Sequence, residues 1–348
     1  MLEADDDIEL TGGGRTTVHR RGQTVVRDSG PWTATVHTLL QHLERVGFAA
    51  APRLVGSGFD PDGRETLTFI EGEFTQPGPW GLDGAAAVGR LLRDLHAATA
   101  SYQPPPDAVW FPWHGRGLGA PARVIGHCDV APWNIVARDG MPIALIDWEF
   151  AGPVDPLVEL AQACWLNAKL HDDIVAELEG LPPLAVRARQ LRAIVDAYGL
   201  SARQRHGFFD RIIEYIVSDT ADQADDAGIT PEMTHHSEAL WAMAWRARAA
   251  AWLLRNRRDL PGPRARCGLP RRERLWMVRD PEHKDAGRAR RHGTPWGWIW
   301  VRASPSSRPR SQSPRPPSAA PARSGVDIPC ARFENRSGSR SMSFSSPA

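Results

Sequence analysis

The sequence predicts an α+β protein with two lobes, a small β-rich N-terminal lobe and a larger, mainly helical C-terminal lobe. Short β-branched or apolar runs separated by glycines fill most of the first 70 residues, which is typical of strands. Beyond residue 156, apolar residues recur at helical spacing nearly to residue 260. A chain of 348 residues with 42% hydrophobic residues is long enough to bury one large core or two modest ones.

The N-terminal lobe, which we assign to residues 1–72, is predicted to be a small sheet with a single packed helix. Thr16–His19, Thr24–Arg27 and Glu65–Ile70 have the composition of strands. Thr33–Val46 is predicted to be a helix, because its leucines and its last residue fall on one face.

The C-terminal lobe, which we assign to residues 73–260, begins with a predicted helix at Leu82–Ala98. Further along, Ser201 and Gln204 have the spacing of a capping box, which predicts the start of a helix. Two later apolar stripes are predicted to lie in the core: Phe208, Phe209, Ile212, Ile213 and Ile216, and Leu240, Met243, Ala244 and Ala247.

Residues 261–348 differ in composition from the rest of the chain. They hold 18 of the 42 Arg and Lys residues but only 6 of the 41 Asp and Glu residues, and they are rich in Pro and Ser. Because they show no helical or strand periodicity, we predict a disordered, basic tail. Such a tail could touch nucleic acid or an anionic surface. Its charges are dispersed, however, so we do not expect nucleic acid to be a partner.

Membrane and secretion signals are not found in the sequence. No run of 18 or more residues is apolar, and Met1–Leu10 is acidic, unlike a signal peptide. We therefore expect a cytoplasmic protein that has no membrane partner. The four cysteines lack CxxC spacing, so neither a disulfide framework nor a zinc site is indicated. The sequence does not indicate an oligomeric state.

The residues with a chemical signature lie between positions 124 and 149. An apolar strand leads to a loop with His127, Asp129 and Asn134, and two further apolar runs flank Asp139-Gly140, as in a β-hairpin. Antiparallel pairing across that turn brings Asn134 close to Asp147.

These side chains suit phosphoryl transfer, which requires a carboxylate to deprotonate the attacking hydroxyl and oxygen ligands to hold Mg²⁺ on the nucleotide phosphates. Asp129 fits the first role, and Asn134 and Asp147 fit the second. Taken singly, each would more simply cap a turn or end a strand, but the ordered trio around a hairpin predicts function. His127 is a further catalytic candidate, although we expect it chiefly to brace the loop through hydrogen bonds.

The motif His127-x-Asp129-x-x-x-x-Asn134, followed by Asp147 after a short hairpin, resembles the catalytic and metal-binding segments of the aminoglycoside phosphotransferase and choline kinase family, including its trifolitoxin-immunity-like members. The resemblance covers most of both lobes. It implies a protein-kinase-like fold with ATP between the lobes, a base at Asp129, and Mg²⁺ bound by Asn134 and Asp147. It also implies that Asp155 helps to fix the loop.

Two further segments resemble nucleotide-contacting parts of that family. Gly12, Gly13 and Gly14 lie where a phosphate-covering turn belongs, although a glycine triplet suits any flexible turn. Ile70 and Gly72 follow the last predicted strand of the N-terminal lobe. Their position resembles that of the linker whose backbone meets adenine.

The cation for the ATP phosphates departs from the family pattern. Members of the family use a lysine on the third strand, but the two lysines, Lys169 and Lys284, lie outside the N-terminal lobe. Arg27 is the best replacement, because it ends the strand after the glycine turn and a guanidinium can bridge two phosphate oxygens. Arg20 and Arg21 are its rivals.

Other positions also depart from the pattern. Cys128 stands where glycine is usual, and Trp148-Glu149 replaces the usual residues after the metal-binding aspartate. The resemblance implies an acidic partner for the phosphate-binding cation on the helix Thr33–Val46. Glu44 is the only acid available there and sits near the carboxyl end, whereas His37 is closer to the family's glutamate position.

The sequence thus predicts a phosphotransferase that moves the γ-phosphate of ATP to a hydroxyl of a small molecule, either an aminoglycoside-like antibiotic or a metabolite. Aminoglycosides are polycations and favour acidic pockets, and an acidic cluster occurs at Asp219, Asp222, Asp225 and Asp226. A cluster of this kind is also typical of a solvated helix end. The alternative is a kinase-fold nucleotide-binding or immunity protein with little or no turnover.

Overall fold

A computed structural model of the chain describes residues 8–10, 17–76, 78–121, 124–230, 237–258 and 260. Within them, an N-terminal sheet is followed by two two-stranded sheets and a mainly helical C-terminal part, which confirms the predicted α+β class. The glycine turn at 12–14 and the tail at 261–348 lie outside the described residues. Among the helices that the structure describes, none is long and apolar enough to cross a membrane.

The N-terminal sheet has five antiparallel strands in the order β1-β2-β3-β5-β4. Its strands are Ile8–Leu10 (β1), Val18–Arg21 (β2), Thr24–Arg27 (β3), Leu54–Phe59 (β4) and Glu65–Thr68 (β5). The prediction is confirmed for β3, but β2 begins and ends two residues later than predicted, and β5 ends two residues earlier. Neither β1 nor β4 is predicted from the sequence. In the sequence, Gly56 and Gly58 look like residues that end a strand, yet both lie inside β4 with φ of +60° and +86°.

Helix α1, Thr33–Arg45, packs its apolar face into the core, as predicted. The buried apolar residues of this face are Val36, Leu39, Leu40 and Leu43. Val46 does not belong to the face, because it caps the end of the helix and is 46% exposed. The helix therefore ends one residue earlier than the sequence predicts.

The chain leaves β5 through a linker that pairs with the hairpin described below. Glu73 and Ala137 exchange two backbone hydrogen bonds, of 2.9 and 2.8 Å. Gly72 lies so close that a Cβ on it would be 2.4 Å from Cγ1 of Val136 and 2.5 Å from the Ala137 carbonyl oxygen. The linker thus needs glycine at position 72 in order to lie against the hairpin.

Two short antiparallel sheets follow. Val124–Gly126 (β6) pairs with Gly152–Val154 (β9), and Ile135–Arg138 (β7) pairs with Met141–Leu145 (β8). The second pair is the predicted hairpin. Its turn residues, Asp139 and Gly140, both have positive φ, of 51° and 71°, as a tight two-residue hairpin turn requires.

Seven helices form the rest of the described C-terminal part: Leu82–Thr99 (α2), Pro156–Asn167 (α3), Asp173–Glu179 (α4), Leu184–Tyr198 (α5), Ala202–Arg205 (α6), Phe208–Asp226 (α7) and Ser237–Arg255 (α8). Ser201 and Gln204 form the predicted capping box at the start of α6. Of the predicted stripe on α7, Phe208, Phe209, Ile212 and Ile216 are buried and Ile213 packs against the core.

The stripe predicted on α8 is wrong at its two ends, while Met243 and Ala244 between them are half-buried. Leu240 and Ala247 are exposed, whereas Ala249, Trp252 and Leu253 are buried. The helix is rotated so that the indole of Trp252 enters the core, which buries more apolar area than Leu240 would.

Candidate active site

The hairpin β7–β8 brings the predicted metal-binding residues to one end. Ile135 pairs with Leu145, and the backbone N–H of Ile146 donates to the carbonyl oxygen of Asn134 at 2.9 Å. Asn134 and Asp147 are therefore neighbours at the start and end of the ribbon, as the sequence predicts. The loop between β6 and β7 holds Asp129 beside them.

Asp129 and Asn134 are in direct contact. The Asn134 side-chain amide donates to Oδ2 of Asp129 at 2.7 Å and to its carbonyl oxygen at 3.1 Å. Gln162 on α3 donates to Oδ1 of Asp129 at 3.3 Å. These amides fix the orientation of the carboxylate. Because the Asn134 nitrogen is directed to Asp129, its amide oxygen is the group that remains for other ligands.

His127 is fully buried under the catalytic loop. Its Nε2 lies 2.9 Å from the carbonyl oxygen of Ile146, and its Nδ1 accepts the backbone N–H of Asp129 at 3.3 Å. The ring packs edge-on against Trp148, with centroids 4.7 Å apart. Burial lowers the pKa of His127, which keeps the ring neutral. These contacts favour the bracing role over a role in proton transfer.

Asp147 adopts a left-handed backbone conformation, with φ of 62°, which is uncommon for a residue other than glycine. Its side chain is 43% exposed and forms an ion pair with Arg27, with Nη1 to Oδ1 at 2.5 Å. The ion pair joins the N-terminal sheet to the end of the hairpin. The position predicted for the phosphate-binding cation therefore lies next to the predicted metal ligand.

Arg27 has a second partner that the sequence does not predict. Its Nε donates to Oε2 of Glu65, which lies directly opposite on β5. Burial alone would lower the pKa of Arg27, but the carboxylates of Glu65 and Asp147 outweigh it and raise the pKa. The rival Arg20 instead donates to the Gly22 carbonyl oxygen at 2.8 Å, and its guanidinium lies over the Phe69 ring.

The acidic partner expected on helix α1 is not Glu44, which lies 3.7 Å from Arg53 instead. Glu65 on β5 takes this place, and α1 contributes His37, whose Nε2 lies 3.0 Å from Oε1 of Glu65. Burial alone would raise the pKa of Glu65, but its hydrogen bond with His37 and the charge of Arg27 outweigh burial and lower the pKa. An acid across the sheet from Arg27 could be found from the sequence only if the strand register were known.

Two acids on α3 and at its start support the loop. Glu159 is fully buried and accepts the backbone N–H of Cys128 at 2.6 Å, and His96 lies 2.5 Å from its other oxygen. Burial alone would raise the pKa of Glu159, but the His96 contact and the Cys128 hydrogen bond lower it. Asp155, which the family resemblance assigned to fixing the loop, caps α3 through Leu157 at 2.8 Å and accepts the N–H of Ala120 at 2.7 Å.

Cys128 also has a left-handed backbone, with φ of 64°, so the glycine that is usual there suits the conformation. Its thiol is fully buried and lies 3.7 Å from Nη1 of Arg116 and from the Gly152 carbonyl oxygen. Burial raises the pKa of this thiol well above its ordinary value, so Cys128 is not a reactive thiolate.

Part of the acidic cluster on α7 is paired with basic groups. Asp219 accepts Nε of Arg246 at 2.6 Å, and Nδ1 of His114 lies 3.0 Å from Oδ2 of Asp222. Tyr215, one turn before Asp219, is buried against the rings of Trp113, His114 and Trp165. Burial raises the pKa of Tyr215 well above its ordinary value, and the carboxylates of Asp219 and Asp129 add to this effect.

The N-terminal sheet, the catalytic loop with its hairpin and the helical C-terminal part together make up a kinase-like fold. A family model described as the phosphotransferase enzyme family matches residues 105–209, which include the catalytic loop and hairpin. The trifolitoxin immunity protein of Rhizobium leguminosarum bv. trifolii is 57% identical over 256 residues, which are 74% of this chain and 98% of the relative. The chain belongs to this phosphotransferase family and is a homologue of that immunity protein, which confirms the resemblance found in the sequence.

The solved structure of another kinase supports the fold. An amicoumacin kinase in complex with AMP-PNP and Ca²⁺ has a TM-score of 0.52 at 11% identity, over 72% of this chain and 89% of the kinase. A microcompartment-associated aminopropanol kinase has a TM-score of 0.49 at 16% identity, over 73% of this chain and 93% of that kinase.

Proposed function

We propose that this protein transfers the γ-phosphate of ATP to a hydroxyl of a small molecule, using Asp129, Asn134, Asp147 and Arg27. The observation that carries the proposal is that the side-chain pairs Asp129–Asn134 and Arg27–Asp147 lie at the same end of the hairpin. Family membership supports phosphoryl transfer as the reaction class. We also propose that residues 1–72 and 73–260 form the two lobes and that the protein acts in the cytoplasm.

In this proposal Asp129 orients and deprotonates the acceptor hydroxyl. The amide donors of Asn134 and Gln162 hold its carboxylate in one orientation, so the oxygen that faces the acceptor need not reorganise during the reaction. His127 supports the base indirectly, because its Nδ1 accepts the backbone N–H of Asp129.

Asn134 and Asp147 would hold Mg²⁺, since an amide oxygen and a carboxylate are the hard ligands that this cation prefers. When bound, Mg²⁺ neutralises charge on the transferring phosphates. Among the described residues, no group of three or more His, Cys, Asp and Glu side chains is arranged to hold a metal ion. The proposed pair contains one side chain of those types, and a nucleotide-bound Mg²⁺ takes its remaining ligands from phosphate and water.

Arg27 would bind the ATP phosphates through the guanidinium N–H groups next to Asp147. We extend the proposal to the backbone of Gly12, Gly13 and Gly14 over the phosphates. We also extend it to the backbone at Ile70 and Gly72 next to adenine, because the linker lies against the hairpin at Glu73.

For the acceptor, we propose a hydroxylated molecule of low charge. The sequence suggested an acidic pocket on α7, but Asp219 is neutralised by Arg246, and His114 contacts Asp222. A polycationic aminoglycoside would therefore find less unpaired negative charge here than the sequence alone implies.

The alternative, a nucleotide-binding immunity protein with little turnover, is favoured by the name of the 57% identical relative.

The test is ADP release by the full chain with Mg²⁺, ATP and a panel of neutral and cationic hydroxylated acceptors, with Asp129→Ala as the background control. We expect acceptor-stimulated ADP release that requires Mg²⁺ and is lost in Asp129→Ala. Asp147→Ala should remove the Mg²⁺-dependent part of ATP affinity in calorimetry. ATP binding without stimulated ADP release across the panel would favour the alternative.

A further inference from the structure

We propose that Glu65 is a positioning residue for the nucleotide, because its buried carboxylate holds the guanidinium of Arg27 toward Asp147 and the ATP phosphates. The inference rests on the proposed function, in which Arg27 binds those phosphates. It assigns to strand β5 and His37 a task that the family resemblance assigned to an acid on helix α1.

The geometry commits both oxygens of Glu65. Oε2 accepts Nε of Arg27, and Oε1 lies 3.0 Å from Nε2 of His37. Glu65 is only 2% exposed and stands opposite Arg27 in the strand register. Because Nε of Arg27 is held by Glu65, the guanidinium is turned so that Nη1 reaches Asp147 at 2.5 Å. The Glu65 carboxylate therefore selects one orientation of the Arg27 guanidinium group.

The sheet is built to admit His37. A Cβ on Gly58 of β4 would lie 2.6 Å from Cε1 of His37, so only glycine leaves room for the ring. Gly58 has φ of 86°, and its neighbour Phe59 contacts the ring with centroids 4.6 Å apart. The cluster of Arg27, Glu65 and His37 thus draws on α1, β3, β4 and β5.

The physical reason for such a cluster is that a buried carboxylate is costly unless donors satisfy it, and here two donors do so. An arginine side chain has many rotamers, and restricting it before ATP arrives lowers the entropy lost on binding. Arg27 contacts both Glu65 and Asp147, so Asp147 is not the only carboxylate that balances its charge.

The test is a double-mutant cycle on the full chain, with the Kd for Mg·ATP measured by calorimetry. Arg27→Ala should weaken binding about 10- to 100-fold, the loss of a charged hydrogen bond. Glu65→Gln keeps the shape but loses the charge, and it should weaken binding about tenfold in the wild-type background and less than about twofold beside Arg27→Ala. Glu65→Asp should recover part of the loss. The matched control is Glu44→Gln, which changes an acid of α1 that lies near Arg53. It should leave the Kd for Mg·ATP unchanged.

In turnover, Glu65→Gln should raise KM for ATP more than it lowers kcat, which a general loss of stability would not do. Wild-type affinity in Glu65→Gln, or equal losses in both backgrounds, would overturn the inference while leaving the proposed function intact. If Arg27→Ala itself binds Mg·ATP normally, the proposed function of Arg27 fails instead. If circular dichroism shows that Glu65→Gln does not fold, the same double-mutant cycle is run with His37→Asn. Energetic coupling between His37 and Arg27 is then expected. A cycle without coupling would overturn the inference.

Discussion

At the scale of single residues, a functional role could be predicted from the sequence for those side chains whose residue type and spacing indicate a specific chemistry. Asp129, Asn134 and Asp147 are recognisable from their order around a hairpin, and the structure brings them together. Glu65 and Glu159 are not recognisable, because each acts through a partner that is distant in sequence. Strand register and helix packing, which bring such partners together, are tertiary properties.

The first prediction concerns Asp129. Asp129→Ala should lower kcat by about 10² to 10⁴ while ATP still binds, because a general base acts in the transition state rather than in nucleotide binding. Single-turnover kinetics and calorimetry with Mg·ATP separate the two effects. Gln162→Ala removes one amide donor to Asp129 and serves as a milder comparison. Turnover of Asp129→Ala within about threefold of wild type would exclude the proposed base.

At the scale of elements, helices and the hairpin follow the sequence more closely than edge strands do. The Asp139-Gly140 turn and the capping box at Ser201 carry local signals, and both are confirmed. Strand β4 carries no such signal, because Gly56 and Gly58 weaken its strand pattern. Gly58 is explained by His37, which packs over it from another element.

A second prediction concerns the cap of α3. Asp155→Ala should lower the free energy of unfolding by about 0.5–2 kcal/mol, the usual cost of losing an N-cap, and should also lower turnover because α3 anchors the catalytic loop. The control is Asp172→Ala, which removes the cap of α4 at Val175. It should cost similar stability in urea denaturation and leave turnover unchanged. Equal turnover in both variants would show that Asp155 acts only as a cap.

At the scale of the whole molecule, stability should depend on pH through buried groups. Burial lowers the pKa of His127 and of His171 below the ordinary value of 6.5, and the pKa values of Glu65 and Glu159 are lowered from 4.5. All four folded pKa values lie below the unfolded ones, so the unfolded chain binds more protons in that window. Acid therefore favours unfolding.

We expect the free energy of unfolding to fall as pH drops below about 6.5, with each histidine contributing up to about 1.4 kcal/mol per pH unit. The glutamates should steepen the decline below pH 4.5. Urea denaturation at pH 7.5, 6.0 and 5.0 measures the slope, and His171→Gln should flatten its first part. A constant free energy of unfolding from pH 7.5 to 5.0 would contradict this prediction.

A last prediction concerns the extent of the folded body. Leu260 is buried, and its N–H donates to the carbonyl oxygen of Asn256 at 2.9 Å, so truncation after Leu260 keeps the contacts described for α8. Residues 1–260 should therefore retain the melting temperature and Mg·ATP affinity of the full chain, as scanning calorimetry and titration can establish. A drop of several degrees would mean that residues 261–348 contribute to the body.

The arginine on strand β3 also determines which reagents can detect this protein. Arg27 offers no primary amine beside the proposed phosphate site, and of the two lysines, Lys169 is 2% exposed and contacts Gln76 and Glu179. Nucleotide-shaped labels that acylate a lysine near the phosphates have no target amine at Arg27. Within the part of the chain that the structure describes, such a label would find neither an amine at Arg27 nor an exposed one at Lys169, even where the protein binds ATP.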